Sequence, residues 1–492
     1  MIFSCPKCYA SETKDGNCPE CGTRLQLQMT PSEQQENSIH SNRIFFDEKH
    51  HFIPKWLGDT LLIRTKFVTW KDTRQVWAWN GKFYEDGEPL IETACKELLG
   101  QDFKSGHCEE TKAYIRAATY QDREAITLPI HLLPLQNGLL DLKTKTLGDY
   151  TSDYFYTGLL EVAHDANATC PECDKFFEEI LSPDQRVLAR QVIAMTLWAD
   201  NTPFQKSVML LGEGSNGKSV YLSLVQAILG RRNVANVTLQ QLCGKEARFV
   251  TSRLFMKRAN ICYDLPKQSL KDTGLWKQLV AGDWVDAEEK FRAPYAYKPF
   301  CKMFFSANEL PSTRDITDAF FRRWFIFKFD NKFSKEAGNI DVRKTEKITT
   351  QQELSGFLNE LLLLLDGILE TGEFASSASV DEIKHEYLIS SDPVSAFCEK
   401  YVTEERGSQI KKEDLWTAFL YFSEEVDVKI SRESFFLKFK RLFSRAEFTR
   451  SQVDSKRISV VNGVRLDNDF LTEAKTNRSE KYERDDKYLT FK

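Results

Sequence analysis

What this chain lacks narrows it first. No apolar run reaches the roughly 20 residues that a bilayer-spanning helix needs. The opening Met1-Ile2-Phe3-Ser4-Cys5 shows neither the charged nor the apolar region of a signal peptide. A cytoplasmic protein with no membrane partner is therefore expected. Charge of one sign is not in excess: a net −5 over 492 residues excludes a polycation, so any surface for nucleic acid has to be local. No domain shows the paired metal-binding carboxylates of a nucleotide polymerase, which argues against a primase in its own right. The 12 cysteines of a chain expected in a reducing compartment point to metal ligands or buried thiols over disulfides.

What is present is an ordinary globular composition, 41% hydrophobic and 28% charged. The length exceeds what one core can fill and predicts about three domains. The most informative stretch is Gly212-Glu213-Gly214-Ser215-Asn216-Gly217-Lys218-Ser219, which fits G-x-x-x-x-G-K-[ST] and follows the apolar run Ser207–Leu211. The segment Tyr221–Leu229 continues as an apolar-striped helix expected to stop at Gly230. Strand, phosphate loop and helix form a nucleotide site: Gly212, Gly214, Ser215, Asn216, Gly217 and Val220 shape the cradle, Lys218 meets the β/γ-phosphates of ATP, and Ser219 offers a hydroxyl to Mg²⁺.

Four further features follow in close succession. Arg258–Asp264 reads as a buried strand ending in an acid, suited to holding Mg²⁺ and polarising water. Gly282–Pro294 reads as a hairpin whose tip carries Lys290, Phe291 and Arg292, a cation and aromatic pairing that suits a DNA backbone and a base face. Cys301–Asn308 is a second strand, and Asn308 is placed to orient a water or sense the γ-phosphate. Phe320–Phe327 is a third, headed by Arg322 and Arg323, either of which can serve as a finger on a neighbouring subunit's nucleotide.

At the start of the chain, Cys5, Cys8, Cys18 and Cys21 form C-x₂-C-x₉-C-x₂-C, the spacing of a Zn²⁺ ribbon. So short a segment has no apolar core, and metal binding supplies its folding free energy. Cys170 and Cys173 have no second pair at ribbon spacing and read as ordinary thiols at a helix start. Near the C-terminus, helices over 411–423 and 432–442 and a strand pair turning at Asn462-Gly463 read as helices followed by a wing. Lys438, Lys440, Arg441 and Arg445 fall in a basic segment suited to duplex DNA.

The order phosphate loop, Asp264, Lys290, Asn308 and Arg322-Arg323-Trp324 resembles that of superfamily 3 helicases. The wording Asn216-Gly217-Lys218-Ser219, Phe305-Ser306-Ala307-Asn308-Glu309-Leu310-Pro311 and Phe321-Arg322-Arg323-Trp324 is similar to the phage and plasmid primase-helicases, a family that includes the poxvirus primase-helicase. Leu132–Leu142 is similar to the helicase-associated region of that family. The resemblance implies a ring-forming ATPase translocating on single-stranded DNA, a homo-hexamer, with Arg323 as the finger and Arg322 second. One position departs from the family pattern: Tyr263 stands where a second acid is usual.

The expected fold is α/β, an AAA+-like P-loop ATPase core with an N-terminal zinc ribbon, a mixed α/β helicase-associated domain and a C-terminal winged-helix domain. Its divisions are a ribbon over 1–26, a linker over 27–49, the associated domain over 50–195, the ATPase over 196–335, a helical connector over 336–389, the winged helix over 390–470 and a charged tail over 471–492. The expected function is an ATP-dependent DNA helicase of a mobile genetic element acting in replication initiation. The alternatives are a sequence-specific origin-binding initiator whose ATPase switches assembly, or the helicase subunit working with a separate primase or polymerase.

Overall fold

The computed structural model describes residues 2–4, 11–12, 26–28 and 43–489, with interruptions at 126–129, 267, 335, 376–378, 427–428 and 454–455. Before residue 44 and after residue 478 it describes the backbone path alone. The chain divides into two units: Met1–Pro134 with Gly138–Leu159 and Phe291–Tyr295, and Leu135–Asn137 with Leu160–Lys290 and Ala296–Lys492.

In the first unit, β1 (Ile2–Ser4) pairs antiparallel with both β2 (Ser11–Glu12) and β3 (Gln26–Gln28). Cys5, Cys8, Cys18 and Cys21 lie outside the described residues. Phe45 and Phe46, within the segment expected as a linker, are buried in the core with Leu57 and Leu61 of α1 (Pro54–Arg64). The same core takes Phe67 from β4 (Phe67–Trp70), Val76 and Ala78 from β5 (Val76–Trp79), Ile91, Cys95 and Leu99 from α2 (Gly87–Leu99) and Ile115 from α3 (Ser105–Thr119). With β6 (Tyr84–Asp86) and β7 (Tyr120–Gln121) the sheet order is β6-β5-β4-β7. Strands β8 (Leu132–Leu135), β9 (Gly138–Asp141) and β10 (Leu147–Gly148) make a separate three-stranded sheet.

The second unit includes α4 (Pro171–Ile180) and α5 (Pro183–Ala194). Cys170 is the N-cap of α4 and Cys173 is buried on its first turn. The sheet that follows contains β11 (Ser207–Leu211), β12 (Val234–Ala235), β13 (Ala259–Cys262), β16 (Lys302–Ala307) and β17 (Trp324–Lys328), all parallel, in the order β12-β13-β16-β11-β17. All residues of β13 and β16 are buried, as in a parallel sheet covered on both faces. Helix α6 (Lys218–Leu229) buries Tyr221, Leu222, Leu224, Val225, Ile228 and Leu229 and ends at Gly230. Helix α7 (Gly274–Ala281) leads into the two-stranded sheet of β14 (Val285–Ala287) and β15 (Tyr295–Tyr297). The leucine-rich segment is α8 (Gln351–Thr371), a core helix burying Leu354, Leu358, Leu361, Leu362 and Leu365.

After α9 (Val380–Ser391) come α10 (Pro393–Tyr401), β18 (Val402–Lys411), α11 (Lys412–Glu425), α12 (Arg432–Leu442), β19 (Glu447–Val453) and β20 (Lys456–Leu466), with sheet order β18-β20-β19. Phe397, Trp416, Phe419, Phe422, Phe435 and Phe439 fill their common core.

Two expectations are corrected here. Asn462-Gly463 is no hairpin turn: β20 runs through it, and the register against β18 shifts between Glu404 and Gln409, so the left-handed Gly463 at φ +85° sits at a bulge. The hairpin instead joins β19 to β20. The charged tail is a helix, α13 (Asn468–Leu489), because Phe470 and Ala474 are buried and Arg478 donates to the Thr417 hydroxyl at 2.6 Å.

Candidate nucleotide site and nucleic-acid surfaces

Strand β11 carries the chain to the C-terminal edge of the parallel sheet, and Gly212–Gly217 turns it into α6. Glycine is required twice. At Gly212 (φ +157°) an added Cβ would lie 2.1 Å from Asn216 Nδ2 and 2.7 Å from the Phe329 carbonyl. At Gly217 (φ +92°) it would lie 2.6 Å from Ile180 Cγ2. Asn216 is 3% exposed and braces the loop: Nδ2 donates to the Phe329 carbonyl at 3.0 Å, and Oδ1 accepts from Lys218 Nζ at 3.1 Å. Lys218 Nζ also donates to the Gly212 carbonyl. Its partners are neutral, and burial holds its pKa below the ordinary lysine value, with the charge of Asp264 pulling the other way. A buried ammonium meeting only amide oxygens is the group that an anionic ligand would stabilise most.

One cavity of about 320 Å³ is lined by Gly214–Val220 together with Tyr263, Asp264, Ser306 and Asn308. The sheet order explains the meeting. Asp264 follows β13 and Asn308 follows β16, and both strands run parallel to β11, so all three deliver their ends to one edge. Ser219 and Asp264 supply hard oxygen donors, the set that suits Mg²⁺.

A second cavity of about 460 Å³ adjoins the loop at Ser215, Gly217 and Val220, and is walled by Lys175, Glu179 and Ile180 of α4 and by Phe333, Asn339 and Lys344. The Phe333 N–H donates to the Ser215 carbonyl at 2.7 Å, and Lys344 bridges to Glu179 at 2.8 Å. Sequence reading missed this cavity, because its two walls come from separate segments and neither carries a motif.

The two arginines lie at the opposite edge. Ser207 is in register with Trp324, so Arg322 and Arg323 precede β17 at the N-terminal end of the sheet. Five residues of strand, roughly 16 Å, separate that edge from the loop. Arg323 is 8% exposed and its Nη1 donates to the Ala319 carbonyl, whereas Arg322 is exposed. Of the two guanidinium groups, that of Arg322 is therefore the more accessible.

At the tip between β14 and β15, Lys290, Phe291 and Arg292 are exposed. Phe291 holds φ +66° with its ring fully exposed, a strained backbone for a bulky residue. On α12, Lys438 pairs with Asp392 at 2.6 Å, so its charge is partly met within the chain. Lys440 lies 4.7 Å from the centre of the Phe448 ring. Lys440, Arg441 and Arg445 are exposed.

A family described as "D5 N terminal like" matches residues 51–182, and a "Family of unknown function (DUF5906)" matches 210–323. A protein named as a helicase in Acanthamoeba polyphaga mimivirus is 26% identical over 229 residues. These matches support a likeness to the phage and viral primase-helicases. That aligned stretch is 44% of this chain, which spans 23% of the mimivirus protein. Solved apo structures of the NrS-1 C-terminal region cover 83% of this chain and 99% of their own chains, with TM-scores of 0.43 and 0.44 at 14% identity. The 210–323 match runs from the phosphate-loop strand to Arg323, so it contains the whole cavity-lining set from Gly214 to Asn308.

Among the described residues, Cys170, Asp174 and Glu360 bring three metal-ligating atoms within 4.8 Å of one another. Arg190 already engages both carboxylates, at 2.8 Å to Asp174 and 3.4 Å to Glu360. That arrangement fits an ion-paired helix contact better than a metal centre. No helix among the described residues is long and apolar enough to cross a membrane.

Proposed function

We propose that the chain is an ATP-driven DNA helicase of superfamily 3, with an AAA+-like core, that translocates on single-stranded DNA when a mobile element initiates replication. The observation that carries this reading is the convergence of Lys218, Ser219, Asp264 and Asn308 on one cavity, with the arginines at the far edge of the same sheet. Lys218 would meet the β/γ-phosphates, and the N-terminus of α6 would add its backbone N–H groups. Ser219 and Asp264 would hold Mg²⁺, which when bound neutralises charge developing on the transferred phosphoryl group. Asp264 would polarise the attacking water and Asn308 would orient it. The second cavity is sized and placed for base and ribose. An arginine that cannot reach its own subunit's nucleotide acts in a ring, here proposed as a homo-hexamer, where Arg322 or Arg323 meets the neighbour's ATP.

Lys290, Phe291 and Arg292 are proposed to grip the strand by charge and stacking. The element order from α10 to β20 supports a winged helix in which Lys440, Arg441 and Arg445 face duplex DNA, with Lys438 held back by Asp392. Cys5, Cys8, Cys18 and Cys21 remain the proposed Zn²⁺ ligands. A separate primase or polymerase partner is consistent with the family.

The test is hydrolysis and strand separation by purified Lys218→Ala, Asp264→Ala, Arg322→Ala and Arg323→Ala. Lys218→Ala and Asp264→Ala should abolish both activities, and retention of both by Lys218→Ala overturns the reading. A second reading, a sequence-specific initiator whose ATPase only switches assembly, is favoured by Tyr263 in place of a second acid. Footprints on origin DNA that persist in Lys218→Ala would establish it.

A further inference from the structure

Helix α7 stands at a junction. Its first turn is held by Asp315, which accepts from Lys277 Nζ at 2.7 Å and from the Thr273 hydroxyl through Oδ2, and from the Thr317 backbone N–H at 3.2 Å and the Thr317 hydroxyl through Oδ1. The ion pair is largely withdrawn from solvent, with side chains 26% and 15% exposed. Asp315 belongs to the loop that begins at Asn308 on the cavity wall. That loop is itself tied to the segment following Asp264: the Leu270 N–H donates to the Ser312 carbonyl at 2.8 Å, and Leu270 and Thr313 form a parallel bridge. The middle of α7 carries Trp276, fully buried and stacked on Trp324 at 4.7 Å, one residue beyond Arg323. Its last turn is held by Asn201, whose Nδ2 donates to the Leu279 carbonyl at 2.9 Å. Past the left-handed Gly282 the chain enters β14 and reaches Lys290.

We infer that Asp315 is a positioning residue that couples the nucleotide cavity to the hairpin strand, by clamping the first turn of α7 to the loop that starts at Asn308. The inference rests on the ATPase reading. A short helix fixed at both ends by buried polar contacts moves as a body, so a displacement of the Asn308 loop on nucleotide binding is carried to β14 through Lys277 and Thr273. Breaking the clamp leaves every residue of the nucleotide cavity in place and removes only the connection.

The experiment uses the full chain, a non-hydrolysable ATP analogue with Mg²⁺, and hydrogen exchange of residues 285–290, beside hydrolysis with and without single-stranded DNA. Lys277→Met removes the ion pair and leaves the hydroxyl bonds of Thr273 and Thr317 to Asp315; Asp315→Asn weakens all of them. Both variants should bind the analogue as the wild type does and keep the unstimulated rate. The nucleotide-dependent exchange change at 285–290 should be lost, and DNA stimulation should fall at least about fivefold, the lower end of ordinary coupling factors. An unchanged exchange response in both variants overturns the linkage. A parallel loss of stimulated and unstimulated rates in both also overturns it, since that is what a merely structural contact produces. Failure of the wild-type chain to bind the analogue overturns the ATPase reading, and the linkage with it.

Discussion

Asn216 does more than border the phosphate loop. Its amide joins the Phe329 carbonyl to Lys218, so Asn216→Ala leaves a buried carbonyl without its donor. The expected cost is about 1–3 kcal/mol of stability, together with weaker ATP binding, checked by denaturant melts and nucleotide titration. Lys218 predicts a pH dependence. Burial lowers its pKa in the free protein, and bound phosphates would raise it again. ATP affinity should therefore fall with rising pH sooner than for a lysine titrating at about 10.4, as calorimetry between neutral and alkaline pH would read. Asp315 has the opposite sign. Burial resists its ionisation, but the bonds from Lys277, Thr273 and Thr317 prevail and hold its carboxyl down at about 2. Its stabilising contribution is complete above the unfolded carboxyl value of about 3.9 and is lost as the pH falls through the folded value. The stability gap between wild type and Asp315→Asn should thus be full at neutral pH and close in strong acid. The phosphate loop was legible because its chemistry is written in consecutive residues. Burial of Arg323 was not, since its neighbour Arg322 has the same chemistry and only packing beneath the short helix Asp318–Phe321 separates them.

At the scale of elements, α8 meets the segment before α4 backbone to backbone. A Cβ on Gly356 would lie 2.2 Å from the Thr169 carbonyl carbon and 2.7 Å from the Cys170 nitrogen, and none of these atoms can swing aside. Gly356→Ala should cost about 1–3 kcal/mol or more, seen as a lower unfolding midpoint, while Gly367→Ala on the same helix, where nothing lies within 4 Å, should be neutral or stabilising. The strands that carry Asp264 and Asn308 to the cavity were readable as apolar segments ending in those residues, and the next strand as one headed by an arginine pair. Their order was not, because parallel pairing is set by crossovers and leaves no local mark. The Asn462-Gly463 dipeptide misled for a different reason: the pair favours a tight turn, yet the flanking Val461 and Val464 bury in the core that also holds Trp416 and Phe419 and keep the strand running. The second cavity left no trace in the sequence, since Lys344 and Glu179 meet only once α4 is docked.

For the whole molecule, the sheet sets loop and arginines on opposite edges, which is a geometry for company. Mixing Arg322→Ala subunits into wild type should depress hydrolysis more steeply than the fraction added, and Arg323→Ala should mainly lower stability. Particle mass with ATP and DNA should exceed that of the chain alone, and a monomer under every condition would remove the in-trans finger. The lone acid of the cavity has its own consequence. Lys218 and Asp264 cancel, so the cavity is close to neutral before anything enters, and a single carboxylate with a hydroxyl is a poor trap for a strongly hydrated divalent ion. The metal should then arrive already chelated by the triphosphate. Calorimetry would show Mg²⁺ alone giving no heat at this site, whereas the metal–nucleotide complex binds, and Tyr263→Asp should be the change that lets the ion come first.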